Sequence, residues 1–131
     1  MKKMAAFLVS ISCAGVAHAQ DSFDARVLHA KSVEESPDGK TYQTVLRKEI
    51  GDYTATVMQQ CFREGTKADT PIFTLVGDVL PNRSISNVEL RPRTKMSQCF
   101  VDGFQKAPFP QPPASFGKNG IPIEIDMKIT P

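Results

Sequence analysis

The chain has only two histidines and three cysteines among its 131 residues, and no apolar run long enough to cross a bilayer. So few imidazoles leave little for general acid–base chemistry or a histidine-rich metal site. A membrane-spanning helix needs about 20 consecutive apolar residues, so no membrane span is expected. A Gly-x-Ser-x-Gly elbow, a glycine-rich phosphate loop and a metal-type cysteine–histidine spacing are also missing. The carboxylates are scattered. Glu124 and Asp126 share one face of a strand pattern, where a solvated face accounts for them better than acid–base work does. No catalytic, cofactor-binding or metal-ligating residue is expected, and the chain reads as a non-enzyme.

What is present begins with an address. Lys2 and Lys3 precede a short apolar run, Ala5 to Ile11, and Ala17-His18-Ala19 follows as a small-x-small cleavage site. Residues 1–19 are therefore expected to be a cleaved signal peptide leading to the periplasm, with Gln20 as the new N-terminus. Lipid attachment at Cys13 is the lesser alternative, because Ser10 stands where a lipoprotein signal wants an aliphatic residue. Without Lys2 and Lys3, the 16 basic residues fall to the same number as the 14 acidic ones. A balanced chain has no charge-based attraction to nucleic acid or an anionic membrane.

Trimming also leaves one histidine, His29, and two cysteines, Cys61 and Cys99. His29 alone is better explained as a surface residue than as a catalyst. An even cysteine count in an exported chain makes a disulfide the default reading, with a metal pair or free thiols as alternatives. Closing that loop is worth about 4 kcal/mol in the chain-entropy description.

Residues 20–40 form a mixed N-terminal segment. Phe23, Ala25 and Val27 alternate as in a short strand, and Ser36-Pro37-Asp38-Gly39 marks a turn. A single domain is expected over residues 41–131. Tyr42, Val45, Leu46, Ile50, Tyr53, Val57 and Cys61 recur at spacings of three and four, which predicts a helix from Thr41 to Glu64. Thr41 suits its N-cap and Gly65 its stop, and Gly51 marks a possible kink. Ile72–Leu80 and Ile85–Arg91 are rich in β-formers around the turn Pro81-Asn82-Arg83-Ser84, as in an antiparallel hairpin.

A second helical pattern runs through Met96, Cys99, Phe100 and Phe104. The prolines of Pro108–Pro113 enforce an extended connection, and Phe109 among them fits a plug for the core. Ile121, Ile123, Ile125, Met127 and Ile129 then alternate with polar residues as a half-buried strand. Pro122 near its start suits an edge position. The order predicts an α+β fold, a three-stranded antiparallel sheet covered on one face by two helices. Both cysteines lie on the apolar faces of those helices, so packing the helices side by side would bring the sulfurs together.

Three stretches in this order carry a family resemblance. They are Val57-Met58-Gln59-Gln60-Cys61-Phe62, the strand Ser86-Asn87-Val88-Glu89-Leu90, and the run from Cys99-Phe100 through Ala107-Pro108-Phe109-Pro110 to Gly120-Ile121-Pro122-Ile123. Across residues 48–130 the chain resembles the C-terminal domain of TonB-like energy transducers, in variants with a cysteine on each helix. The resemblance implies a periplasmic domain that captures a partner by pairing an extended peptide with a sheet edge. The transducers keep an uncleaved anchor and a long proline-rich spacer. Here the leader reads as cleavable and the proline run lies inside the domain, which removes energy transduction and leaves binding.

The expected partner is therefore another protein of the periplasm or cell envelope. The expected docking residues are Ile121, Ile123, Glu124, Ile125 and Asp126 on the last strand, or the hairpin edge with Arg91 and Arg93. Arg83, Arg91, Arg93 and Lys95 form the one local basic cluster, for which an ordinary wet surface is the plain account. An immunity or inhibitor protein that neutralises a toxin or a wall-degrading enzyme is the alternative function.

Overall fold

The computed structural model describes residues 17–63 and 71–128. Most of the expected leader, with Cys13, lies outside the described residues, as do Gly65 and Ile129.

The N-terminal segment is a helix and contains no strand. Helix α1 spans Ala17–Glu35. The alternation of Phe23, Ala25 and Val27 is misleading because Ala25 is exposed and Val27 only half-buried. Among the described side chains of α1 the buried apolar ones are Phe23 and Ala30, seven residues and thus two helical turns apart.

Ser36 turns the chain sharply into α2, Pro37–Arg63. The cap sits here and not at Thr41. Ser36 Oγ accepts the Gly39 N–H at 3.1 Å, Pro37 occupies the first helical position without an N–H to leave unpaired, and Asp38 lies in the first turn. Thr41 instead donates its hydroxyl to the Pro37 carbonyl. The α1–α2 corner is so tight that a Cβ on Gly39 would stand 1.9 Å from the Val33 carbonyl oxygen. Gly51 does not interrupt α2, which runs as one helix throughout.

The rest follows the expected order. Strand β1 spans Phe73–Val79, β2 Ile85–Arg91, α3 Lys95–Phe104 and β3 Ile121–Met127, with 3-10 turns over Ala114–Asn119 before β3. Thr94 caps α3 reciprocally with Ser97, each side chain taking the other's backbone N–H. The sheet order is β2-β1-β3, antiparallel throughout. The architecture is thus an α+β fold, a three-stranded antiparallel sheet with helices packed against it.

One sheet face carries Phe73, Leu75 and Val79 of β1, Leu90 of β2, and Ile121 and Ile123 of β3, all buried with Tyr42, Leu46, Ile50 and Val57 of α2 and Met96, Phe100 and Phe104 of α3. Aromatic rings chain through this core from Phe73 to Phe100, Phe104 and Phe109 at centroid distances of 5.6, 5.4 and 5.2 Å. Phe109 does plug the core from its proline-rich connection, and Tyr42 donates its hydroxyl to the Pro110 carbonyl beside it. Where α2 meets α3, a Cβ on Gly103 would stand 2.6 Å from a Val57 methyl, so only glycine permits this approach without repacking. The Cys61–Cys99 disulfide links the same two helices with a Cα–Cα distance of 5.9 Å.

The expected two-helix layer is present, and α1 adds a third layer on the opposite face. By strand alternation that face carries Thr74, Val76 and Asp78 of β1, Glu89 and Arg91 of β2, and Glu124 and Asp126 of β3. Helix α1 holds it by burying Phe23 and Ala30 and by a fringe of ion pairs. Arg26 reaches Glu89 at 2.6 Å and Asp78 at 3.6 Å, Lys31 reaches Asp126 at 3.8 Å and Glu124 at 4.0 Å, and the Arg91 guanidinium lies 5.5 Å from the Phe23 ring centroid. Phe23, Ala30 and Val76 are buried but stand apart from the main core.

Candidate docking edge along the last strand

The two outer strands present different edges. On β2 the register with β1 shifts between the pairs Val76↔Glu89 and Asp78↔Ser86, so Asn87 and Val88 together oppose Gly77. This is a β-bulge, and Asn87 adopts a left-handed backbone at φ 51°. A bulge kinks its strand and interrupts the row of free backbone groups, which blunts the edge against pairing. On β3 the register is unbroken from Val79↔Ile121 to Phe73↔Met127.

The direction of the free groups on β3 follows from two observations. Glu34 of α1 accepts the backbone N–H of Glu124 at 3.4 Å, so that N–H points away from β1. Alternation then turns the backbone groups of Pro122 and Asp126 outward as well. Pro122, which has no N–H, therefore costs the β1 ladder nothing. The outward groups are the N–H and carbonyl of Glu124 and Asp126 and the carbonyl of Pro122.

Beside this edge lies a groove of about 500 Å³ between β3 and α2. Leu46 and Ile50, both nearly fully buried, and the half-buried Ile125 form its apolar floor, with Glu34, Glu124 and Asp126 among its acidic lining. The α2 periodicity that builds the core thus also builds this floor. A larger groove of about 620 Å³ runs between α2 and α3 over the disulfide, away from either sheet edge.

The acids here are unequal. The Glu124 side chain is only 7% exposed, and its Oε1 is buried with no hydrogen-bond partner. Burial, then the hydrogen bond and negative charge of Asp126, push its carboxyl up to about 7. Asp126 is held below the usual carboxylate range, first by the Thr74 hydroxyl, which donates to its Oδ1 at 2.6 Å. Burial raises Glu34, whose Oε1 also accepts from Gln43 Nε2 at 3.2 Å.

The structure brings together Glu124, Ile125 and Asp126 on the groove, with Ile121 and Ile123 buried beneath the same strand. Arg91 and Arg93 are not part of this site. Both belong to the β2 side, where Arg91 is engaged over Phe23 and Arg93 is exposed in the turn into α3. Sequence reasoning missed Glu34 and Lys31 of α1 and the groove role of Leu46 and Ile50. The signal for α1 was the stripe Phe23, Ala30, Val33, which is faint in a largely polar segment.

Among the described residues no helix is long and apolar enough to cross a membrane, and no group of three or more His, Cys, Asp or Glu is placed to hold a metal ion. No family model, curated protein or solved structure matches this chain. The fold and the edge define a small disulfide-linked α+β domain with one unbroken, outward-facing strand.

Proposed function

We propose that this protein is a non-enzymatic binding module that captures an extended segment of another protein by adding it to the β3 edge. The observation that carries this reading is the Glu124 N–H, turned away from β1 at the edge of a groove with an apolar floor. A partner strand laid there continues the sheet with main-chain hydrogen bonds, and its alternate side chains enter the groove. Glu34 now occupies the place of an incoming carbonyl, so capture displaces it. The resemblance to TonB-like C-terminal domains supports the same mode of capture. The disulfide suits an oxidising compartment, and the leader-like N-terminus favours the periplasm or cell envelope.

The test uses proline. Glu124→Pro and Asp126→Pro spare the β1 ladder but remove an outward donor together with side-chain contacts to Lys31 and, at 126, Thr74. Glu124→Ala and Asp126→Ala lose the same contacts and keep the donor, so they are the matched references for helix content, melting and capture. Ile123→Pro removes a donor facing β1 and unfolds the sheet, which serves as the control. With a photoreactive side chain at Gln43, the parent and the two alanine references cross-link the partner in cells and the two proline variants do not. Cross-linking that persists in both proline variants overturns strand addition at β3.

A further inference from the structure

If a strand adds to β3, the residues around the edge dictate its chemistry. Side chains of an added strand that face Ile125 point toward Leu46 and Ile50. Those facing Glu124 and Asp126 lie on the other face, beside two carboxylates, with Glu34 as a third acid lining the groove. The cations near them are Lys31, half exposed on α1, and Arg47 of α2. Lys31 approaches Glu124 only to 4.0 Å, and Glu124 Oε1 remains buried without a hydrogen bond. Such a group is costly unless a donor answers it.

A second copy of this chain is a poor occupant. Antiparallel pairing of two β3 strands centred on residue 125 sets Glu124 against Asp126 of the other copy, and pairing centred on residue 124 sets Glu124 against itself and Asp126 against Pro122. Like charges directly opposite destabilise a strand pair.

We infer that the segment captured by β3 carries lysine or arginine at the two positions facing Glu124 and Asp126, with an apolar residue between them. This inference rests on the docking reading above and narrows its partner. The basic side chains supply the donor that Glu124 Oε1 lacks, and the residue between them packs beside the half-buried Ile125.

The test titrates the full chain with three capped synthetic peptides, Thr-Val-Lys-Val-Lys-Val-Thr and its versions with glutamine or glutamate for lysine. Backbone amide shifts of Glu124 and Asp126 are followed by NMR. The lysine peptide is expected to shift both amides and to bind about tenfold more tightly than the glutamine peptide, with the glutamate peptide weakest. In the double variant Glu124→Gln, Asp126→Asn that preference should shrink to about threefold or less. Equal binding by all three peptides at these amides overturns the basic occupant and leaves strand addition standing. A lysine preference that survives in the double variant also overturns it, since charge is then being read elsewhere. If no peptide shifts the two amides, the docking edge itself fails and takes this inference with it.

Discussion

Glu124 faces three demands at once. Its backbone belongs to an edge strand, its side chain is nearly enclosed, and its neighbour Asp126 is already an anion. Because its carboxyl is raised above the ordinary value of 4.5, the folded state binds its proton more tightly than the unfolded state does. The stabilisation is full below about 4.5 and is lost as the pH rises through about 7. Glu34, also raised, acts in the same direction, whereas Asp126, lowered, acts oppositely and only in more acidic solution. The parent should therefore lose stability between pH 5 and pH 8, with Glu124 contributing at most about 3 kcal/mol. Glu124→Gln should flatten that decline in urea denaturation across the range. An unchanged slope means that the buried carboxyl is not what titrates.

At the scale of elements, α2 and α3 are tied by the disulfide and by the close approach at Gly103. The bond closes a separation of 38 residues, worth about 4 kcal/mol in the unfolded-chain account. Domains of this size hold only about 5–15 kcal/mol in total. Cys61→Ala with Cys99→Ala should therefore lower Tm by more than about 10 °C in calorimetry. A smaller change places the stability in the aromatic chain from Phe73 to Phe109. These elements were legible because their patterns are strong. Tyr42, Leu46, Ile50, Val57 and Cys61 mark one stripe of α2, and Ile121, Ile123, Ile125 and Met127 mark one face of β3. Helix α1 was not legible. Its place on the sheet depends on Phe23 and Ala30 meeting a distant strand face and on Arg26 and Lys31 meeting acids that lie 52 to 95 positions further along the chain.

The whole molecule has three layers of unequal strength. The α2–α3 layer shares the main apolar core with the sheet, while α1 buries only the small patch of Phe23, Ala30 and Val76, flanked by partly exposed ion pairs. Exposed pairs are each worth about 1 kcal/mol or less, and the α1 patch has the one ring of Phe23 where the main core chains Phe73, Phe100, Phe104 and Phe109. Helix α1 should open before the sheet does. In native-state hydrogen exchange, amides of residues 23–35 should exchange at least about tenfold faster than those of β1. Equal protection would make α1 part of the main cooperative unit. Such opening also releases Glu34 from the Glu124 N–H, which links opening of α1 to access at the proposed docking edge.

Local pattern was enough for the strand boundaries of β2, the apolar stripes of α2 and α3, the pairing of two cysteines and the α+β class, because each depends on residues within a few positions or on a simple count. Long-range packing alone decided that α1 lies across the far face, that β2 is bulged while β3 runs straight, and that Glu34 meets the Glu124 N–H. Those outcomes depend on groups distant in the chain that become neighbours only when the sheet closes, and no periodicity records such meetings.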